Sequence, residues 1–333
     1  MTQKNITLIL LAILAMMMLT LGQNQVEEVD ESERLMPTLK ENLNNLEKLE
    51  VRSATGSFNL IKQDQRWVVL EKNSYPADFR MLSSLLEGLS KARLIEQKTA
   101  RPENYSILEV RDISDEGSKA KQVSGFAENY DFSILIGKSS QGREGQFVRR
   151  PDETQVWLAD RSLDVNTSVL AWLKPEFINI ESEEIKKIEQ FDLKGQLQFT
   201  IERIDGEDEL VLQNLPANRS LKYQGITGEL AGSLENLRLI DVRPHEEELW
   251  PTSFQTIYTL ADDEKITIKV MDLEDKKWLH LTAGGKTGPD AEPGAGDIAT
   301  PGRWDFLVTS YVYDDFTRNL DYLLAEQKEV SPE

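Results

Sequence analysis

A four-residue pattern occurs twice in this chain, and a pattern repeated inside matched surroundings implies that one local structure is built twice. Tyr75-Pro76-Ala77-Asp78 recurs as Leu215-Pro216-Ala217-Asn218, 140 residues later, each time between a two-strand pattern and an amphipathic helix pattern. Ahead of it, Leu46, Leu49 and Gly56 match Ile185, Ile188 and Gly195 at an offset of 139, and Phe58 and Leu60 match Leu197 and Phe199. Behind it, Arg93-Leu94-Ile95-Glu96 matches Arg238-Leu239-Ile240-Asp241 at 145, and Leu170 and Leu173 match Leu320 and Leu323 at 150. The offset grows only between matched blocks, as it does when loops lengthen and packed elements do not.

The expected fold is therefore α+β: an N-terminal membrane helix followed by two tandem, mostly antiparallel sheet-plus-helix units related by internal duplication. The boundaries that follow are a membrane helix over 1–22, a polar tether over 23–47, unit one over 48–180, a linker over 181–186, unit two over 187–326 and a tail over 327–333. A chain of 333 residues exceeds the size at which a single core stops growing, which agrees with two units.

Residues 6–22, ITLILLAILAMMMLTLG, form an uncharged run with Lys4 before it and Glu27, Glu28, Asp30, Glu31 and Glu33 after it. A positive flank ahead and a negative one behind keep the N-terminus in the cytoplasm and export the rest. As a helix the run is about 25 Å long, slightly short of a bilayer core of about 30 Å. It exceeds the ~7–15 residues of a signal-peptide core, so an uncleaved signal anchor is expected, with a removed signal peptide as the alternative. The expected location is the inner membrane, single-pass, with the bulk of the chain in the periplasm or outside the cell.

Composition narrows the function classes. A net charge of −20 excludes a nucleic-acid partner, which requires a basic stripe. The absence of cysteine excludes disulfides, zinc–thiolate and iron–sulfur sites, and a thiol nucleophile. Gly285-Lys286-Thr287 imitates the end of a phosphate loop, but His280 stands where its first glycine belongs and no helix pattern follows. His245 and His280 lack H-E-x-x-H spacing and are expected to be structural or exposed; a zinc site from the two with carboxylates is allowed in principle, but its acids would show only as scattered residues. Asp262-Asp263-Glu264 and Glu246-Glu247-Glu248 lack the alternating ligands of a calcium loop and read as solvated turns. With 58 acidic residues no carboxylate pair stands out, and no G-x-S-x-G elbow occurs. The six tryptophans read as core or sheet-packing residues rather than as a sugar platform. No catalytic, cofactor-binding or metal-binding residue is assigned, and no cofactor is expected.

Along the chain, Leu39, Leu43, Leu46 and Leu49 suit a short helix in the tether. SFNLIK and RWVVLE pair about Gln63-Asp64-Gln65; Asp78 caps a helix whose apolar face is Met81, Leu82, Leu85, Leu86 and Leu89. ARLIE, DFSILIG, GQFVRR and QVWLAD follow as strands, then a helix SVLAWLK that stops at Pro175. Unit two repeats the plan with QLQFTIER, ELVLQ, a helix near 219–236 capped by Asn218, LRLIDVR, SFQTIYTL, KITIKVM and KWLHLTA. Gly284–Gly302, crowded with Gly and Pro, reads as an exposed loop.

The order of membrane segment, strand pair with Trp67, YPAD, leucine-faced helix and strand with Trp157 resembles the bacterial domain-of-unknown-function family 4340. Its members are membrane-anchored exported proteins, typically encoded beside the subunits of a gliding-motility-type ABC transporter and its auxiliary protein. The resemblance implies a non-catalytic accessory component of an ABC transporter, with an inner-membrane permease or auxiliary subunit as partner. Unit two departs from the pattern with Leu215-Pro216-Ala217-Asn218 and with Glu209 near the place of the tryptophan. The alternatives are an exported binding module that takes a glycan or peptide in the groove between the units, and an envelope hydrolase using buried carboxylates.

Overall fold

The computed structural model describes residues 34–142, 144–204, 210–213, 215–284 and 301–326. The expected membrane helix over 1–22, the tail, and all of the Gly284–Gly302 loop except its ends lie outside the described residues. Among the described residues no helix is long and apolar enough to cross a membrane. The fold mixes helix and sheet, with mostly antiparallel strands and few helices.

The chain forms two compact units, each made from separated stretches: residues up to Leu46 with Leu85–Asp164, and Glu47–Ser84 with the chain from Val165 on. Division by contact and division by repeated pattern, 48–180 and 187–326, are thus different cuts of one chain.

The first strands are β1 Lys48–Ser53, β2 Gly56–Gln63, β3 Arg66–Val69 and β4 Tyr75–Pro76, each antiparallel to the next. Alternation places Leu49 and Val51 of β1 opposite Leu60 and Phe58 of β2, all buried, because a period of two turns one face to the core. The β2–β3 turn holds Asp64 and Gln65 at φ 48° and 63°, the positive values that match hairpin twist.

At YPAD the chain does two things at once. Ala77 bridges Leu173, Asp78 N donates to Trp172 O, and Lys174 N donates to Pro76 O, so the motif pairs with the segment before Pro175. Asp78 Oδ1 accepts from Arg80 N at 2.9 Å and Met81 N at 3.4 Å and so starts the helix Phe79–Lys91, which buries Leu82, Leu85, Leu86 and Leu89. Asp78→Ala should lower stability by about 0.5–2 kcal/mol in denaturant unfolding. A change within error there would remove capping from the motif's role.

After the helix come β5 Leu94–Thr99, β6 Lys121–Ala127, β7 Tyr130–Ser139, β8 Gln146–Arg149 and β9 Val156–Ala159, hydrogen-bonded in the order β6-β7-β8-β9-β5. Strand β6 has no counterpart in the sequence reading. Its Gly125 faces Phe132 of β7 so closely that a Cβ would stand 2.1 Å from the ring, and the pattern loses an apolar position there. In the same unit Leu35, Met36, Leu39 and Leu46 are buried, so the described end of the expected tether is packed; its helix is only Leu39–Asn42 plus a tight turn over Leu43–Asn45.

In the other unit β10 Glu176–Ile178 precedes β11 Ile185–Phe191, β12 Leu197–Arg203 and β13 Leu210–Leu212; β14 Leu237–Arg238 pairs with β10. With β15 Asp241–Pro244, β16 Phe254–Leu260, β17 Lys265–Leu273, β18 Lys276–Ala283 and β19 Trp304–Val308, strands β11, β12 and β13 form an eight-stranded sheet ordered β13-β12-β11-β16-β17-β18-β19-β15, apart from the β10–β14 pair. Two expected helices are corrected. The one near 219–236 is Ile226–Ala231, preceded by Gly225 at φ 89°, and Asn218 does not cap it. Gly225, Gly228 and Gly232 make the segment a poor helix former. SVLAWLK is a 3-10 turn over Val169–Trp172, since Leu173 is extended by its bridge to Ala77.

Trp172, Trp250, Trp278 and Trp304 are buried core residues, while Trp67 on β3 and Trp157 on β9 are half-buried on sheet strands.

Candidate functional site

Three strands of the eight-stranded sheet bring ionisable side chains onto one carboxylate. Asp305 lies on β19, directly opposite His280 on β18 and opposite Arg243 on β15. Directly opposed residues point to the same face, so both flanking side chains reach it. His245 follows Pro244 at the end of β15, held by its N–H donating to Arg303 O at 3.0 Å. Trp250, packed with Met271 and Trp278, closes the cluster.

Asp305 is fully buried, and four side chains donate to it. Oδ1 takes His245 Nδ1 at 2.6 Å and His280 Nδ1 at 3.1 Å; Oδ2 takes Trp250 Nε1 at 2.9 Å and Arg243 Nε at 3.2 Å. The histidine rings stack with centroids 3.6 Å apart, and the Arg243 guanidinium lies over the Trp278 ring at 3.9 Å. His280 Nδ1 also lies 3.0 Å from Trp304 O, and His245 Nε2 lies 3.0 Å from Glu247 Oε2.

Burial alone would push the Asp305 carboxyl up. The hydrogen bonds from His280, His245 and Trp250 outweigh it and hold the group below its ordinary value, as an ionised hub. The hydrogen bond to His245, with the charge of Lys269, lowers Glu247 as well.

The two histidines come from separate sequence contexts, yet the fold sets them ring to ring. Glu247 is exposed, as a solvated turn requires, but its carboxylate engages His245. Asp262-Asp263-Glu264 is the expected turn, with Asp262 Oδ1 accepting from Glu264 N at 3.0 Å. Gly285-Lys286-Thr287 lies outside the described residues. Asp305 is the member that sequence reasoning missed: it lies 25 residues from His280 and 60 from His245, and only strand register unites them.

Two other features of the fold carry polar groups. Buried Arg149 donates to Val110 O, Pro151 O, Glu153 O and Asp112, and its guanidinium lies 4.5 Å from the Tyr105 ring; it ties loops to a core. A groove of about 580 Å³ is bordered by Glu229, Glu235, Arg238, Tyr311, Asp315 and Arg318, and is open to solvent.

No curated protein and no solved structure matches this chain. A family model described as "Domain of unknown function (DUF4340)" matches residues 67–255, more than half of the chain, spanning YPAD, Arg243, His245, Glu247 and Trp250. The chain therefore belongs to the DUF4340 family of domains of unknown function.

Proposed function

We propose that the protein is a non-catalytic, membrane-anchored envelope component, an accessory to an ABC transporter of the gliding-motility type, with a permease or auxiliary subunit of that complex as partner. The observation that carries the anchor is the uncharged run Ile6–Gly22 between Lys4 and an acidic stretch. The non-catalytic reading draws on Asp305, a fully buried carboxylate enclosed by Arg243, His245, Trp250 and His280, with no face open to a substrate. The transporter role rests on the family resemblance.

Internal duplication belongs to the same proposal. Strands β6-β7-β8-β9-β5 and β16-β17-β18-β19-β15 follow one order, as do β3-β2-β1 and β13-β12-β11. Within one compact unit, Tyr75 of the first pattern packs on Trp304 and Phe306 of the second.

Two experiments test this. The full chain should remain with membranes after a salt wash, with residues from Gln23 on open to protease from outside the inner membrane; a soluble form beginning near Gln23 would show a cleaved signal instead. Purified in detergent, the chain should bring down a stoichiometric ABC-type subunit. A retained glycan or peptide without such a subunit would favour a binding module, for which the Tyr311 groove is the supporting feature.

A further inference from the structure

We propose that His245, His280 and Asp305 are the protein ligands of one divalent transition-metal ion, with Glu247 as the outer carboxylate that orients His245. The inference does not depend on the transporter role, and it takes up the site of two histidines and a carboxylate that the sequence allowed without identifying the acid.

The ligand atoms lie within 4.8 Å of one another. In a tetrahedral site with bonds of about 2.0–2.1 Å, neighbouring ligand atoms stand roughly 3.3 Å apart. The contacts of 2.6 and 3.1 Å to Asp305 Oδ1 need only a small opening to admit an ion. The backbone is rigid where it matters, since His280 and Asp305 are partners in adjacent strands and His245 N is tied to Arg303 O.

Protonation supplies an independent reason. His245 meets a carboxylate at each ring nitrogen, Asp305 at Nδ1 and Glu247 at Nε2. A neutral imidazole has one N–H, so one of these contacts would set a lone pair against a carboxylate oxygen. Double protonation removes that conflict but creates another. It places an imidazolium face to face with His280, which must offer its own Nδ1–H to the same oxygen, while Arg243 occupies the other oxygen. A metal ion in place of the two Nδ1 protons removes the conflict around His245 and Asp305, and asks His280 Nδ1 to turn from Trp304 O, 3.0 Å away, toward the ion. The stacked rings, 22° apart, need a further tilt to turn both Nδ1 lone pairs onto an ion beside Oδ1; His245 then keeps Nε2–H for Glu247, and Trp250 and Arg243 fix Oδ2. A carboxylate bonded to a ligating histidine, and a ligating carboxylate that is itself hydrogen-bonded, are the usual outer partners of such sites.

Two imidazole nitrogens with one carboxylate oxygen suit zinc or its neighbours in the first transition row and not calcium or magnesium, which take oxygen ligands. The ion would join the end of β15 to β18 and β19.

The test uses the full chain in detergent, stripped with a chelator, then titrated with Zn²⁺ by calorimetry and with Co²⁺ by visible absorption. The expected result is one ion per chain, a tetrahedral Co²⁺ spectrum, and a melting temperature that rises with Zn²⁺. His245→Gln and His280→Gln should each lose the spectrum and the thermal shift, and Glu247→Gln should weaken binding about 10–100-fold. Should His280→Gln fail to fold, His245→Gln, at a more exposed ring, decides. Absence of one-to-one uptake, or uptake by folded His245→Gln equal to that of the native chain, overturns the proposal; the latter would assign the ion to surface carboxylates.

Discussion

Asp305→Ala should destabilise the unit that holds the eight-stranded sheet by about 3–5 kcal/mol, because it removes one side of a buried charge network and strands the other. Arg243, Trp250 and the two Nδ1 groups would lose their common acceptor in a place that water reaches poorly. Arg243 Nη2 is already buried without a partner, so that side chain has no alternative in reserve. Asp305→Asn keeps an acceptor without the charge and should fall between the two. The measurement is denaturant unfolding followed by tryptophan fluorescence, with Trp250 and Trp278 as local reporters. A loss below about 1 kcal/mol for Asp305→Ala would mean that the network contributes little net stability.

The same residue fixes the sign of a pH effect. Burial raises the Asp305 carboxyl, and the donors from His280, His245 and Trp250 more than reverse that, so its folded value lies below its unfolded one. Its contribution is complete above the ordinary carboxylate range and disappears as pH falls through the folded value. The native chain should lose stability on that acid limb, and Asp305→Asn should show a shallower one.

The sequence made local periodicity visible and left register hidden. The hairpin of β1 and β2, the leucine face of Phe79–Lys91 and the run β16–β18 are legible because apolar residues recur at periods of two or about 3.6. Strand β6 is not legible, because Gly125 stands where Phe132 needs room and the apolar alternation is broken. The helix near 219–236 looked like a copy of Phe79–Lys91, but three glycines shorten it, and Asn218 lies inside a turn in which Arg219 N donates to Pro216 O. The His245–His280–Asp305 cluster was invisible for a different reason. Asp305 is one of 58 acidic residues, and nothing near it in sequence marks it as the one that two strand pairings would bury between the histidines.

Phe306→Ala should cost about 3–5 kcal/mol, the range for truncating a buried aromatic side chain. Phe306 is 1% exposed and stacks on Phe177 at 4.0 Å and 10°, while Tyr75 meets it edge-on at 6.4 Å and Trp304 at 5.3 Å. Phe177 and Tyr75 are themselves fully buried, so the space left by the ring could not be filled without moving two more aromatic groups. Phe306→Leu retains much of the volume and should cost distinctly less than Phe306→Ala. Tyr75→Phe isolates the hydroxyl, which donates to Lys174 O at 3.2 Å, and should cost about 0.5–1.5 kcal/mol. A double-mutant cycle between Tyr75→Ala and Phe306→Ala should show a coupling of about 0.5–1.5 kcal/mol, because the two rings are in contact. That coupling bears on YPAD directly. If the motif is a structural joint, its tyrosine must be energetically linked to β19, a strand more than 200 residues away in sequence. Additive effects would leave Tyr75 a local partner of Lys174, and the cluster would be two neighbouring patches and not one core.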